Sequence, residues 1–167
     1  MHTTYLLLGS NMGDSKRQLQ KAIAAIRKNI GRVVRRSALY QTAAWGKTDQ
    51  PDFLNQVIVV HTNLDAHQTM RNLLAIEKTM GRVRTTPNAP RTIDIDILFF
   101  DKEIITGKDL TIPHPRIAER RFVLTPLNEL APNFKHPALN RSIHDLFIHC
   151  PDTLNVRSEE RRVGKEC

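Results

Sequence analysis

Residues 93 to 97 read Ile-Asp-Ile-Asp-Ile, an alternation suited to an extended strand with one buried face. In such a strand residues i and i+2 share a face and stand roughly 6.6 Å apart. Asp94 and Asp96 therefore leave a stiff backbone on the same side, while Ile93, Ile95 and Ile97 enter a core. Like charges held this way repel, and aspartate is disfavoured inside strands. A cation between them relieves both problems, and hard divalent ions such as Mg²⁺ prefer oxygen ligands of this kind. A solvated strand face is the alternative for any lone Asp-x-Asp. Here Phe99 and Phe100 follow directly and Arg91 precedes in a basic loop, which favours a metal-binding strand.

The segments around this strand set its topology. Residues 3–9 are short, apolar and closed by Gly9, as in a buried strand. Asp14 or Ser15 can cap a helix whose Leu19, Ala22, Ile23, Ile26 and Ile30 form one apolar face, ended by Gly31. Strands are predicted over 33–40 and 53–62, separated by residues 41–52, which are rich in turn formers and hold the only tryptophan, Trp45. A second helix is predicted over 65–80, with Met70, Leu73, Leu74 and Glu77 on successive turns and Gly81 as its stop. Loop 82–91 carries two prolines and three arginines, and the Asp strand follows. The order is β-α-β-β-α-β, an α+β fold of the ferredoxin-like plait type. Two helices would then cover one sheet face and leave the other free for a site. Beyond Phe100, residues 103–106 and 110–112 suggest a hairpin, and short helices are expected near 115–120, 124–130 and 142–147, as C-terminal additions.

Net charge and length narrow the function. At 167 residues, with 40% apolar content, the chain can bury one sizeable core, and a single domain over 1–156 is expected. A net charge of +8 calls for an anionic partner. Nucleic acid would require a basic stripe interleaved with aromatics, yet aromatics are only 5% and scattered. The basic residues instead gather as Arg82, Arg84 and Arg91 in one loop and Arg116, Arg120 and Arg121 in another, which suits a small polyphosphate. No apolar run approaches the roughly 20 residues of a membrane span, and the start lacks the pattern of a signal peptide. Cys150 and Cys167 have no metal-ligand spacing. A cytoplasmic monomer, bound to neither nucleic acid nor membrane, is expected. Residues 157–167 have almost no apolar content and resemble an in-frame translation of a sequencing adapter. They are read as a non-native tail, and their four basic and three acidic residues change the net charge by only one.

Several motifs occur in register from about Tyr5 to about Asp145. They are Leu8-Gly9-Ser10-Asn11, Tyr40-Gln41-Thr42, Gln50-Pro51-Asp52-Phe53-Leu54-Asn55, Glu77-Lys78-Thr79-Met80-Gly81-Arg82, Pro90-Arg91 through Leu98, Pro113-His114-Pro115-Arg116 and Arg121-Phe122-Val123-Leu124. Together they resemble the 6-hydroxymethyl-7,8-dihydropterin pyrophosphokinase family of folate synthesis. The resemblance implies transfer of pyrophosphate from ATP to the pterin hydroxymethyl group, with two Mg²⁺ ions on Asp94 and Asp96. It implies catalytic roles for Arg82 and Arg91 as loop arginines over the triphosphate. The pterin would meet Thr42, Ala44, Trp45, Phe53, Asn55 and Phe122, with the two phenylalanines stacking on the heterocycle. The nucleotide would meet Glu77, Arg84, Ile97, Thr111, His114 and Arg120.

Each residue taken alone has a plainer reading: Phe53, Phe122 and Trp45 as core, Asn55 as a turn residue, Arg84 as surface charge. Within the resemblance, Phe53, Phe122 and Asn55 take the site role on the strength of the motifs around them, while plain core remains an open reading for Trp45 and surface charge for Arg84. A plait that binds RNA or a small ligand without catalysis is the rival function. It would carry an aromatic-rich Arg/Lys-Gly-Phe strand motif, which is absent here.

Overall fold

In the computed structural model, residues 1–11, 13–42, 52–81 and 93–158 are described. The elements run β1 (His2–Ser10), α1 (Ser15–Asn29), β2 (Gly31–Arg36), β3 (Tyr40–Thr42), β4 (Phe53–Thr62), α2 (Ala66–Thr79) and β5 (Asp94–Phe100). They continue through β6 (Ile105–Thr106), β7 (Thr111–Ile112), a 3₁₀ turn (Ile117–Glu119), α3 (Arg121–Leu130), α4 (Ile143–Ile148) and β8 (Val156–Ser158). Both long helices begin where short polar side chains satisfy orphan amides. Asp14 accepts from the Arg17 N–H, and Asp65 and Gln68 form a reciprocal capping box.

The described strands form a mixed α/β architecture around a six-stranded sheet of order β5-β1-β4-β3-β8, with β2 also paired to β4, and its pairings are antiparallel. β1 lies between β5 and the central β4, in continuous register with β4 from His2↔Thr62 to Ser10↔Leu54. The expected strand over 33–40 is instead two strands broken at residues 37–39. Ser37 is the cause: its Oγ accepts from the Val57 N–H at 3.0 Å, its own N–H donates to Val57 O, and Gln56 Nε2 donates to its carbonyl. A side chain thus replaces part of the ladder, and the chain bends before Tyr40 resumes pairing with Asn55. The hairpin of β6 with β7 and the short C-terminal helices are present as expected.

Two cores lie on the two faces. Leu6, Leu8, Ile58, Val60, Ile93, Ile95 and Ile97 pack with Leu19, Ile23, Ile26, Leu73 and Ile76 of α1 and α2. On the other face Leu7, Val57, Val59, Leu98 and Phe99 pack with Val123, Leu124 and Leu127 of α3 and Ile143 and Leu146 of α4. The expectation of one free face is therefore corrected. α3 presents an amphipathic surface, and its apolar residues cover the middle of the second face. β5 switches faces at its end: a register shift opposite Tyr5 and Leu6 lets both Leu98 and Phe99 enter the second core. The first two residues of the segment read as a tail, Arg157 and Ser158, pair with Gln41 and Tyr40 at the sheet edge.

Candidate active site

The site forms where β1 ends and β4 and β5 begin. The alternation of β5 sends its isoleucines into the helix-side core, so Asp94 and Asp96 emerge, half-buried, on the opposite face. Their cross-strand neighbours on β1 are Gly9 and Leu7. Gly9 pairs on its other side with Asn55, and Thr42 pairs with Phe53. Phe53 and Asn55 share their face with Val57 and Val59, hence with the aspartates. Buried Asn55 donates from Nδ2 to Thr42 Oγ1 at 2.9 Å. This fixes its amide orientation, leaving the Asn55 oxygen turned towards Gly9.

Gly9 carries more than the strand motif suggested. A Cβ there would stand 3.0 Å from Asn55 Oδ1 and 4.0 Å from Phe53 Cδ1. The missing side chain leaves room for the Asn55 amide between β5 and β3. A glycine inside a strand is the sequence signal for such a close approach.

The other wall comes from the loop after β7 and the start of α3. Phe122 sits in the first turn of α3, half-buried against the second core. The Arg120 guanidinium lies 5.6 Å from its ring centroid. Burial, and then Arg116, pull the Arg120 pKa below its ordinary value, while Asp96, Glu119 and Asp94 oppose them. Arg120 remains a cation. Its buried Nε–H finds no partner, a donor that an anion would satisfy.

His114 is anchored by its N–H to Leu98 O at 3.0 Å, and its Nδ1 accepts from the Arg116 N–H at 3.3 Å. Burial, and then Arg120, lower its pKa, with Asp94 acting against them. The ring is therefore neutral at pH 7, with Nδ1 as acceptor and Nε2–H left as a donor. The basic cluster expected around 116–121 divides into separate roles. Arg116 is exposed and pairs with Glu119, whereas Arg121 binds Asp152 and the Cys150 carbonyl. Arg120 has both Asp94 and Asp96 in its electrostatic surroundings.

Among the remaining expected nucleotide residues, Ile97 is buried in the helix-side core, so only its backbone is available to a ligand. Thr111 is exposed and donates to Gly107 O at 3.4 Å. Glu77 is buried in α2, and its Oε2 accepts from the Ile95 N–H at 2.7 Å. Arg82, Arg84, Arg91, Ala44 and Trp45 lie outside the described residues. At the opposite end of β1 and β5, His2, Asp101 and Glu103 gather potential ligand atoms within 4.8 Å of one another, with His2 Nδ1 already 2.6 Å from Asp101 Oδ2.

Residues 5–132 match the family described as 7,8-dihydro-6-hydroxymethylpterin-pyrophosphokinase. The chain belongs to that pyrophosphokinase family. The 2-amino-4-hydroxy-6-hydroxymethyldihydropteridine pyrophosphokinase of Methylorubrum extorquens is 43% identical to it over 134 residues, covering 80% of this chain and 85% of the relative. The folic acid synthesis protein of Dictyostelium discoideum is 36% identical over 154 residues, covering 92% of this chain and 23% of the relative. The pyrophosphokinase chain thus spans about a quarter of that longer protein and most of the shorter one. Its fold is similar to that of Plasmodium falciparum HPPK-DHPS, with a TM-score of 0.74 at 20% identity over 88% of this chain and 43% of that one.

Proposed function

We propose that this pyrophosphokinase transfers a diphosphoryl group from ATP to the hydroxymethyl group of 6-hydroxymethyl-7,8-dihydropterin in folate synthesis. The bond from the hydroxymethyl oxygen to the β-phosphorus forms, the bond from that phosphorus to the α,β-bridging oxygen breaks, AMP leaves with that oxygen, and the hydroxyl proton passes to solvent water. The observation that carries this reading is the juxtaposition on one sheet face of two carboxylates, a glycine beside an oriented amide, and Arg120 with an unpartnered buried N–H.

The donor set fits Mg²⁺. Asp94 and Asp96 are hard oxygen ligands on one face, and Mg²⁺ is commonly held by one or two carboxylates, with waters and substrate phosphates completing its shell. Two Mg²⁺ ions held there would neutralise phosphate charge on both attacking and leaving oxygens. The protein's own part is positioning and electrostatics, which dominate phosphoryl-type transfer. Asn55 and Thr42 orient the pterin edge, and Phe53 and Phe122 offer aromatic faces to its ring. Arg120 and the Nε2–H of His114 meet phosphate oxygens. Arg82, Arg84 and Arg91 close over the triphosphate, the first and last in catalytic roles. Ala44 and Trp45 complete the pterin pocket, and the Ile97 backbone and Thr111 meet the nucleotide.

The strand order β5-β1-β4 with β2 outermost supports the ferredoxin-like plait, extended by β3, β8 and the C-terminal helices. We read residues 1–156 as its single domain and 157–167 as a non-native tail, of which Arg157 and Ser158 extend the sheet edge as part of β8. We place the activity in the cytoplasm, in a monomer. No helix among the described residues is long and apolar enough to cross a membrane. The test is AMP release from ATP. It is expected only when both 6-hydroxymethyl-7,8-dihydropterin and Mg²⁺ are added, and pterin-independent release would refute the reading.

A further inference from the structure

Among the described strands β5 stands at the edge of its sheet, paired to β1. An edge strand normally leaves outward amides to water and is free to shift. Here the outer edge is held at two points that bracket Asp96. The Ile95 N–H donates to Glu77 Oε2 at 2.7 Å, and Leu98 O accepts from the His114 N–H at 3.0 Å. The first contact is unusual in chemistry. The Glu77 carboxylate of α2, a residue only 3% exposed, accepts from a backbone amide located between the two aspartates. Burying a carboxylate is costly unless it is firmly hydrogen-bonded, and charge-assisted bonds of this kind are about twice as strong as neutral ones.

The side chain of Ile95 points into the helix-side core, and those of Asp94 and Asp96 point to the site. Its backbone is therefore the hinge about which both carboxylates are aimed. We propose that Glu77 is a positioning residue for the cation ligands: through the Ile95 amide it locks the edge strand, and so sets the spacing and direction of Asp94 and Asp96. The proposal rests on reading those two aspartates as the ligands of Mg²⁺. It differs from a nucleotide contact because the group that Glu77 grips is the strand itself.

Two conservative variants separate the possibilities. Glu77→Gln keeps an acceptor oxygen at the same reach and removes the charge. Glu77→Asp keeps the charge and draws the acceptor back by one methylene, out of bonding distance from the Ile95 N–H. In each, the Mg²⁺ concentration giving half-maximal AMP release, the KM for ATP and hydrogen exchange at the Ile95 amide are measured on the whole chain. Loss of partners that orient metal ligands commonly costs about 10–100-fold in metal affinity. Glu77→Asp is therefore expected to raise the half-saturating Mg²⁺ by about 10-fold or more and to speed Ile95 exchange, while Glu77→Gln, which keeps the acceptor but loses the charge assistance, changes both by less. The reverse ranking, or a rise in the KM for ATP with an unchanged Mg²⁺ requirement, overturns the proposal. Asp94→Asn serves as the reference. If it leaves the Mg²⁺ requirement unchanged, the ligand assignment itself fails; if it raises that requirement while Glu77→Asp does not, only the role of Glu77 fails.

Discussion

Replacing Gly9 with alanine would put a methyl group 3.0 Å from Asn55 Oδ1 and 3.9 Å from the Leu54 carbonyl. Ordinary contact begins near 3.4 Å, so the Asn55 amide must retreat by a few tenths of an ångström. It cannot swing into solvent, because it is buried and tied to Thr42 at 2.9 Å. Overpacking of this kind costs about 1–3 kcal/mol. The substitution also restricts the unfolded chain, which returns about 0.4–1 kcal/mol. The net loss should be about 1 kcal/mol, or roughly 2–4 °C in Tm. Pterin recognition should suffer more, since the amide that faces the ring is displaced. Misplacing a positioning group by about 1 Å can cost about 100-fold, so kcat/KM for the pterin should fall by about 10-fold or more. Thermal melts and calorimetric titration with the pterin and a non-hydrolysable ATP analogue measure both terms. A fall in Tm with pterin affinity within about twofold of wild type, well under 1 kcal/mol, would refute the placement of Gly9 and Asn55 beneath the ring.

Phe122→Ala should weaken pterin binding strongly while ATP-analogue affinity stays near wild type; parallel loss of both, measured by calorimetry, would make it a core residue only. For His136, burial lowers the imidazole pKa below its ordinary 6.5, and its Nδ1 accepts the Ala138 and Leu139 amides. The unfolded chain then binds the extra proton first, so stability should fall as pH drops below about 6.5. His136→Asn should flatten that part of a Tm-against-pH curve, leaving the contribution of His114, whose pKa burial also lowers. Cutting the chain after Ser158 should leave Tm and activity unchanged, because β8 is retained; a Tm lower by several degrees, well over 1 kcal/mol, would show that residues 159–167 are integral to the fold. Asp94→Asn and Asp96→Asn should leave apo-protein stability within about 1 kcal/mol of wild type, as shown by melts in chelator.

Much of the architecture was legible because it follows from periodicity. The apolar stripe of α1 ends in the buried set Leu19, Ala22, Ile23 and Ile26, and the alternation in β5 correctly divides isoleucines from aspartates. Leu74 shows the limit of that reasoning: it fits the helical stripe of α2 but is 45% exposed, while Ile76, outside that stripe, turns inward. The break at residues 37–39 was not legible, since it depends on Ser37 meeting Val57, a partner twenty residues away. Coverage of the second face was hidden for a similar reason. The C-terminal helices were readable one by one, but nothing local says where they dock. In the site, residue types and motif spacing indicated Asp94, Asp96, Asn55 and Phe122. The contributions of Gly9 and Glu77 emerge only from cross-strand neighbours and from a helix placed against the sheet edge.

The central claim is that Asp94 and Asp96 hold the cation through which ATP and pterin meet. The most direct measurement is the initial rate of pterin-dependent AMP release as Mg²⁺ is titrated, for wild type and for Asp96→Asn. The account predicts a saturating Mg²⁺ dependence in the wild type and a rate lower by about 100-fold or more in the variant, not restored by raising ATP or pterin. Equal rates and equal half-saturating Mg²⁺ in the two proteins would contradict it.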